Sequence, residues 1–528
     1  MKSINFTILF LLSFTAKSQH VIYSDPEKIS LTTRSEVIGK VGDNIFVCDL
    51  LKNKYQLRIL DRDLKEKRKI ELNFIPAATY RLHFINYPDH CLAIFQSVES
   101  KKKIHVSIAN LDKDGQLGKI ISVDSISAGT YGGNEFYTVN YSENKEHLLL
   151  SRRVIGIKPD KIQVDQVILN NKLEVEKNEN YFISYERGQL MSDLNIDDNG
   201  NIVFMTYPPA IEEDQGIKFY KLPFNSGDLM IKDILIKDNE LSEPQIKINN
   251  KKNLYYLTSL YQDKNTKAVA GLLSIILNYD LTDYNTPLAY AFSNPKKSKG
   301  KTQRQKNLFD NYFIRDIIFR EDGGLVIAGT TIKSDGIAGT SNPKLISMND
   351  IYATKNSISN GPTRRGGVNY TTQDIAINYS FDPNNITAYN PSVNSAPKDN
   401  YYGSISPVSS TNAEYDVMII SVDKNNHVIN TSKINDRIPL DVKRFGIQKM
   451  NLGNEVYILF NNAMKYNNFL LNSISVNING DVEPNPLFRN LDRGYTFLVE
   501  SGKQLDMSTM IVPCEKNNKK AFAMIRFD

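Results

Sequence analysis

An apolar residue followed by Asp or Asn closes a short alternating run eight times along the chain. The pairs are Leu60-Asp61, Leu111-Asp112, Leu169-Asn170, Phe224-Asn225, Tyr279-Asp280, Val422-Asp423, Val476-Asn477 and Phe527-Asp528. Subtracting successive Asp/Asn positions gives steps of 51, 58, 55, 55, 143, 54 and 51 residues. A unit of about 55 residues with strand content cannot bury both faces of its own sheet, so neighbouring units must stack. Inside the units an apolar strand, an Asn/Gly turn and a second apolar strand recur. Examples are Leu194-Asn195-Ile196 before Asp198-Asn199-Gly200-Asn201 and Ile202-Val203-Phe204-Met205, and Ile317-Ile318-Phe319 before Glu321-Asp322-Gly323-Gly324 and Leu325-Val326-Ile327. Such turns fit hairpins, because Gly and Asn tolerate positive φ. The short Asp/Asn side chain that ends each third strand is placed to bond the backbone of the turn after it. Helical periodicity is weak throughout. The chain reads as all-β, an eight-bladed β-propeller.

The two ends fit a closed ring. Residues 1–18 have a positive Lys2, an apolar stretch over 6–14 and small residues at Ala16 and Ser18, the pattern of a secretory signal peptide cleaved before Gln19. Residues 19–528 then form the propeller. No cysteine stands at the cleavage point to take a lipid, and no later segment approaches the roughly 20 apolar residues of a membrane span. The mature chain opens with His20-Val21-Ile22-Tyr23, while blade six follows Asp423 with His427-Val428-Ile429-Asn430. The front of the chain is therefore expected to supply the missing outer strand of the last blade, removing an open edge.

The 143-residue step is about 88 residues longer than one blade needs. The excess is read as an insertion, residues 333–414, between the second and third strands of blade six. It is rich in Asn, Ser, Thr, Gly and Pro, and a loop of that length in a compact domain is usually functional or disordered. A ninth blade around residues 372–381 is the alternative. The most basic run in the chain, with Lys296, Lys297, Lys299, Lys301, Arg304 and Lys306, joins blade five to blade six. Because blade strands alternate in direction, second-to-third loops and blade-to-blade connections leave from the same face. Arg364 and Arg365 with Tyr370, Tyr379, Tyr389, Tyr401 and Tyr402 then join the basic run as a candidate partner-binding surface. Tyr offers rigid amphipathic contact area and Arg/Lys offer steering. A solvated basic loop beside an unstructured insert reads the same residues without function.

Charge and chemistry exclude more than they assign. The formal charge of +5 falls to +3 once Lys2 and Lys17 leave with the signal, too mild for a nucleic-acid partner. Cys48, Cys91 and Cys514 sit in apolar second strands of different blades and read as buried thiols, with one disulfide among them as the alternative. The six histidines are scattered, and His83 and His90 lack metal-ligand spacing. The run Asp197 to Asn201 lacks the alternating acids and closing Glu of a calcium loop and reads as a hairpin turn. No nucleophile elbow or phosphate-cradling glycine loop occurs, so no catalytic, cofactor-binding or metal residue is assigned and no cofactor is expected. A carboxylate pair in the central channel stays open, which leaves an enzyme possible but less expected. Trp is absent, which counts against propellers built on Trp-Asp repeats, Asp-boxes or Trp docking motifs, and weakens a glycan-binding reading.

The leader ending in Ser-Gln, the Lys/Asn/Ile-rich composition and the blade phrases DNGNIVFM (198–205), EDGGLVIAG (321–329) and MIISVDKNNHVI (418–429) resemble exported β-propellers of Bacteroidota-type bacteria. Cargo of the type 9 secretion system generally carries a separate C-terminal sorting domain, whereas this chain ends on a blade strand. By that resemblance it looks like a periplasmic protein, with an extracellular location as the alternative. Some soluble proteins of this type associate with outer-membrane barrels for secretion, gliding or nutrient uptake. The resemblance therefore implies a non-catalytic scaffold or adaptor, a monomer within a hetero-complex, docking an outer-membrane or envelope protein complex. The alternatives are a secreted polysaccharide hydrolase or lyase, or a glycan-binding module.

Overall fold

A computed structural model describes residues 19–28, 33–51, 54–100, 103–127, 137–158, 160–184, 189–208, 216–236, 240–262, 269–285, 288–292, 312–332, 415–436, 447–464, 468–485 and 493–527. These residues form eight antiparallel sheets, seven built wholly from consecutive strands. Blade one comprises Thr33–Val41, Asn44–Leu51, Lys54–Leu60 and Glu66–Glu71. Its burial runs from hub to rim: Asn44–Leu51 is buried almost end to end, while Glu66–Glu71 is nearly all exposed. A strand covered on both faces must read as a continuous apolar run, and a rim strand may be charged. First strands of neighbouring blades pack together at the hub.

The buried side chains divide into eight clusters, each shared by two adjacent blades. An open row of eight sheets would have seven such junctions. The eighth joins Val37, Ile45 and Val47 of blade one to Ile511, Phe522 and Met524 of blade eight, so the ring is closed. Its seal is the one expected from the chain ends. Gln19–Tyr23 pairs antiparallel with Lys519–Phe527, in a register that sets Val21 opposite Ile525 and Tyr23 opposite Ala523. The alternation works on both sides: Val21 and Tyr23 pack into the core of blades seven and eight, and Ile22 into that of blades eight and one. The expected leader, residues 1–18, lies outside the described residues.

The Asp/Asn signature has a structural meaning. Asp61 Oδ1 accepts the backbone N–H groups of Asp63 and Lys65, each at 2.9 Å. Asp112, Asn170, Asp423 and Asn477 each do the same for residues two and four positions on. Three residues after the anchor the chain takes positive φ, at Leu64, Gly115, Leu173, Asn426 and Gly480. A left-handed Leu costs about 1 kcal/mol, which burial of the Leu64 and Leu173 side chains in the core offsets. Two units depart from the sequence reading. In blade five the strand ends at Asn278, which anchors the turn that carries Leu281 at positive φ, while Asp280 bonds only Thr282. In blade four the third strand stops at Leu222, and the Asn225 side chain makes no such bonds. Asp112→Ala is accordingly expected to lower the unfolding free energy by roughly 1 to 2 kcal/mol, and Asn225→Ala to leave it nearly unchanged. Thermal melts of the two variants check this.

Blades are stapled by side-chain amides as well as by apolar cores. Gln96 brackets Tyr137 of blade three, accepting its N–H at 2.8 Å and donating to its carbonyl at 2.6 Å. Asn86 donates to Lys40 O, Asn140 to Leu194 O, Gln245 to Ile314 O, Asn451 to Phe319 O and Asn461 to Phe497 O, each in an adjacent blade. A buried amide without such a partner would carry a desolvation cost, so these bonds also fix how blades sit side by side.

Candidate functional site

The first candidate is the face that carries the long connections. Ile332, where the insertion leaves, stands opposite Tyr415, where it returns. Thr331 stands opposite Tyr312, the first described residue after the basic run. The roots of both irregular segments thus lie at one end of blade six, as strand alternation requires. Lys296, Lys297, Lys299, Lys301, Arg304, Lys306, Arg364, Arg365, Tyr370, Tyr379, Tyr389, Tyr401 and Tyr402 themselves lie outside the described residues, as does the insertion 333–414.

The opposite face is made of tight turns, and those of blades three, four and five interlock. Asp198 Oδ1 accepts the Asn144 N–H at 2.9 Å. Asn250 Oδ1 accepts both the Asp198 N–H and the Tyr279 hydroxyl at 2.9 Å, and Asn250 Nδ2 donates to Glu143 Oε2 at 2.9 Å. Glu143, Asn144, Asp198 and Asn250, together with Asn199, Lys251 and Asn253, line a pocket of about 300 Å³. Burial raises the Asp198 carboxyl above its ordinary range, with help from the charges of Glu143 and Asp197 and against the pull of backbone N–H groups. Beneath the pocket, Asp197 accepts the N–H groups of Asn199 and Asn201 and the Tyr255 hydroxyl, with Gly200 at positive φ. The run 197–201 is therefore the hairpin expected from sequence. The interlock was not legible there, because it joins turns more than fifty residues apart.

Among the described residues, the most displaced carboxyl lies at the hub. Glu36, on the first strand of blade one, is pushed up to about 8 by burial, against the lowering influence of Lys503. Solvent touches part of the residue, but protein surrounds its carboxyl. Elsewhere at the hub Lys449 Nζ pairs with Asp316 across blades seven and six at 2.6 Å. Cys48, Cys91 and Cys514 are free, buried thiols in the second strands of blades one, two and eight, and burial holds each above its ordinary range. Buried thiols of this kind are unreactive.

No family model matches the chain, and no curated protein sequence matches it. Solved structures do, at low identity. Prolyl oligopeptidase B from Galerina marginata is 9% identical with a TM-score of 0.37, over 97% of this chain and 56% of that one. The WD40 domain of SCAP from fission yeast is 7% identical with a TM-score of 0.35, over 96% of this chain and 98% of that one. Apocarotenoid oxygenase from Synechocystis is 10% identical with a TM-score of 0.32, over 76% and 72%. The chain spans little more than half the length of the prolyl oligopeptidase, and the likeness concerns the fold alone.

Proposed function

We propose that the protein is a non-catalytic scaffold, an exported propeller that docks an outer-membrane or envelope protein complex through the face bearing its long connections. The observation that supports this reading is the register at blade six, where Tyr312, Thr331, Ile332 and Tyr415 root the basic run and the insertion at one edge. A ring with eight cores and amide staples between blades is a stiff platform on which connecting segments vary without disturbing the fold. Lys/Arg steering with Tyr contact area is the composition of a protein-binding surface. A periplasmic location accords with the leader read from the sequence.

The rival reading, a polysaccharide hydrolase or lyase, draws on Glu143 and Asp198 in the turn-face pocket. Both carboxylates already accept bonds that tie neighbouring turns together, which accounts for their positions without a reaction. Purification of the full chain from solubilised outer membrane separates the readings. The scaffold reading expects a stoichiometric envelope protein that is lost when residues 333–414 are removed, with the melting temperature of the remaining ring unchanged. Retention of the partner by that deletion places the contact elsewhere. Release of reducing ends or unsaturated sugars from polysaccharide, abolished by Asp198→Asn, favours the enzyme instead.

A further inference from the structure

Three turns that join first strands to second strands come together on the face opposite the long connections. They are residues 142–146 of blade three, 197–201 of blade four and 250–253 of blade five. The bond from Asn250 Nδ2 to Glu143 Oε2 at 2.9 Å links blades three and five, which are not neighbours in the ring. The Asp198 N–H to Asn250 Oδ1 and the Asn144 N–H to Asp198 Oδ1, each 2.9 Å, tie blade four between them. The walls of the 300 Å³ pocket are therefore fixed in advance, and a ligand entering it orders little of the protein.

The lining is polar throughout: two carboxylates, Glu143 and Asp198, one ammonium, Lys251, and four asparagine carboxamides. Asn199, Lys251 and Asn253 are exposed, and their side chains take no part in the braces. A carboxylate offers about four acceptor sites, so the braces use only part of what Glu143 and Asp198 present. The surrounding charges have other partners. Asp197, beneath the pocket, accepts the N–H groups of Asn199 and Asn201 and the Tyr255 hydroxyl. Glu146 accepts from Asn144 Nδ2 at 3.2 Å, Lys145 Nζ turns back to the Asn86 carbonyl at 2.6 Å, and Lys252 lies against Gly323 of blade six.

This lining discriminates between ligand classes. An oxyanion meets two carboxylates against one ammonium. A metal ion or a guanidinium leaves Lys251 and the amide N–H groups of Asn199 and Asn253 without acceptors. A polyol carries a donor and an acceptor at every hydroxyl and answers both kinds. The volume lies at the lower end of small-molecule sites, and no aromatic side chain lines the pocket to stack a longer chain.

We infer that the turn-face pocket of blades three, four and five binds a neutral monosaccharide unit through its vicinal hydroxyls. The sugar leaves unchanged, and no residue of the long connections takes part, so the inference stands apart from the docking proposal.

Saturation-transfer NMR of the full chain with D-glucose, D-galactose and D-mannose tests it. A site without a stacking platform is expected to hold its sugar with a Kd on the order of 1 mM. The expected result is transfer to at least one hexose, with D-glucuronate, L-arginine and inorganic phosphate responding less. Asn199→Ala/Lys251→Met should weaken binding about tenfold, the loss of two hydrogen bonds, at an unchanged melting temperature. A methyl glycoside that binds as well as its free hexose assigns the site to the end of a glycan; binding of the free hexose alone assigns it to a free sugar. Absence of transfer to every hexose and glycoside, or an unchanged response in the folded double variant, overturns the inference. A stronger response to arginine or phosphate than to any hexose overturns it as well.

Discussion

Asp49→Ala is expected to lower the unfolding free energy by about 3 to 5 kcal/mol, the largest loss for any single side chain away from the apolar cores. Asp49 is only 4% exposed and holds two cations at the junction where the ring closes. Arg58, 3% exposed, reaches it through Nε at 2.6 Å and Nη2 at 3.1 Å, and Lys520 of the last strand reaches it at 3.2 Å. Ser35 bonds both Asp49 and Lys520, and Arg58 Nη1 continues to Glu27 at 2.9 Å. Both cations also face the Phe522 ring, at 5.1 and 5.6 Å. Truncating Asp49 takes from Lys520 its buried carboxylate and leaves Arg58 with Glu27 alone, a half-exposed partner. Burial already draws Lys520 down against the opposing influence of Asp49. Replacing Asp49, Arg58 and Lys520 together by apolar residues of similar volume should recover most of the loss, because the desolvation cost disappears with the charges. Chemical denaturation of the single and triple variants measures both.

Glu36→Gln should change how stability depends on pH. The folded carboxyl titrates at about 8, above its ordinary 4.5. Between those values the unfolded chain has released the proton and the folded chain still holds it, so the unfolded state gains as pH rises. Wild type should therefore lose stability progressively from about pH 4.5 to pH 8. The full displacement sets an upper limit of about 5 kcal/mol, and solvent contact with the residue reduces this to roughly 2 to 4 kcal/mol. The glutamine variant has no proton to lose, and its denaturation midpoint should stay flatter over that window. A steeper decline in the variant than in wild type would contradict the assignment.

What was legible in the sequence follows the range of each interaction. The turn anchors at Asp61, Asp112, Asn170, Asp423 and Asn477 act within four residues, so a local signature reveals them. The match between His20-Val21-Ile22 and His427-Val428-Ile429 exposed the closing strand because both are outer strands with the same alternation to satisfy. Blade five misled because Asn278 and Asp280 are both suitable acceptors, and only the strand's last paired residue decides between them. The closing ion cluster was beyond reach: Asp49 and Lys520 are 471 residues apart, and each alone reads as an ordinary strand charge. Amide staples such as Gln96 to Tyr137 need the spacing between blades, which no local pattern encodes.

The closed ring is tested most directly by a cysteine pair placed across the seal. Val21 and Ile525 are directly opposed, while Ala521 lies four residues out of register on the same strand. The three native thiols are buried and can remain. Under mild oxidation the Val21→Cys/Ile525→Cys protein should form an intramolecular disulfide, seen by peptide mass mapping, and should melt higher than its reduced form. The Val21→Cys/Ala521→Cys protein should not. Failure of the in-register pair to cross-link in folded protein, or equal cross-linking of both pairs, would contradict a ring sealed by its own first strand.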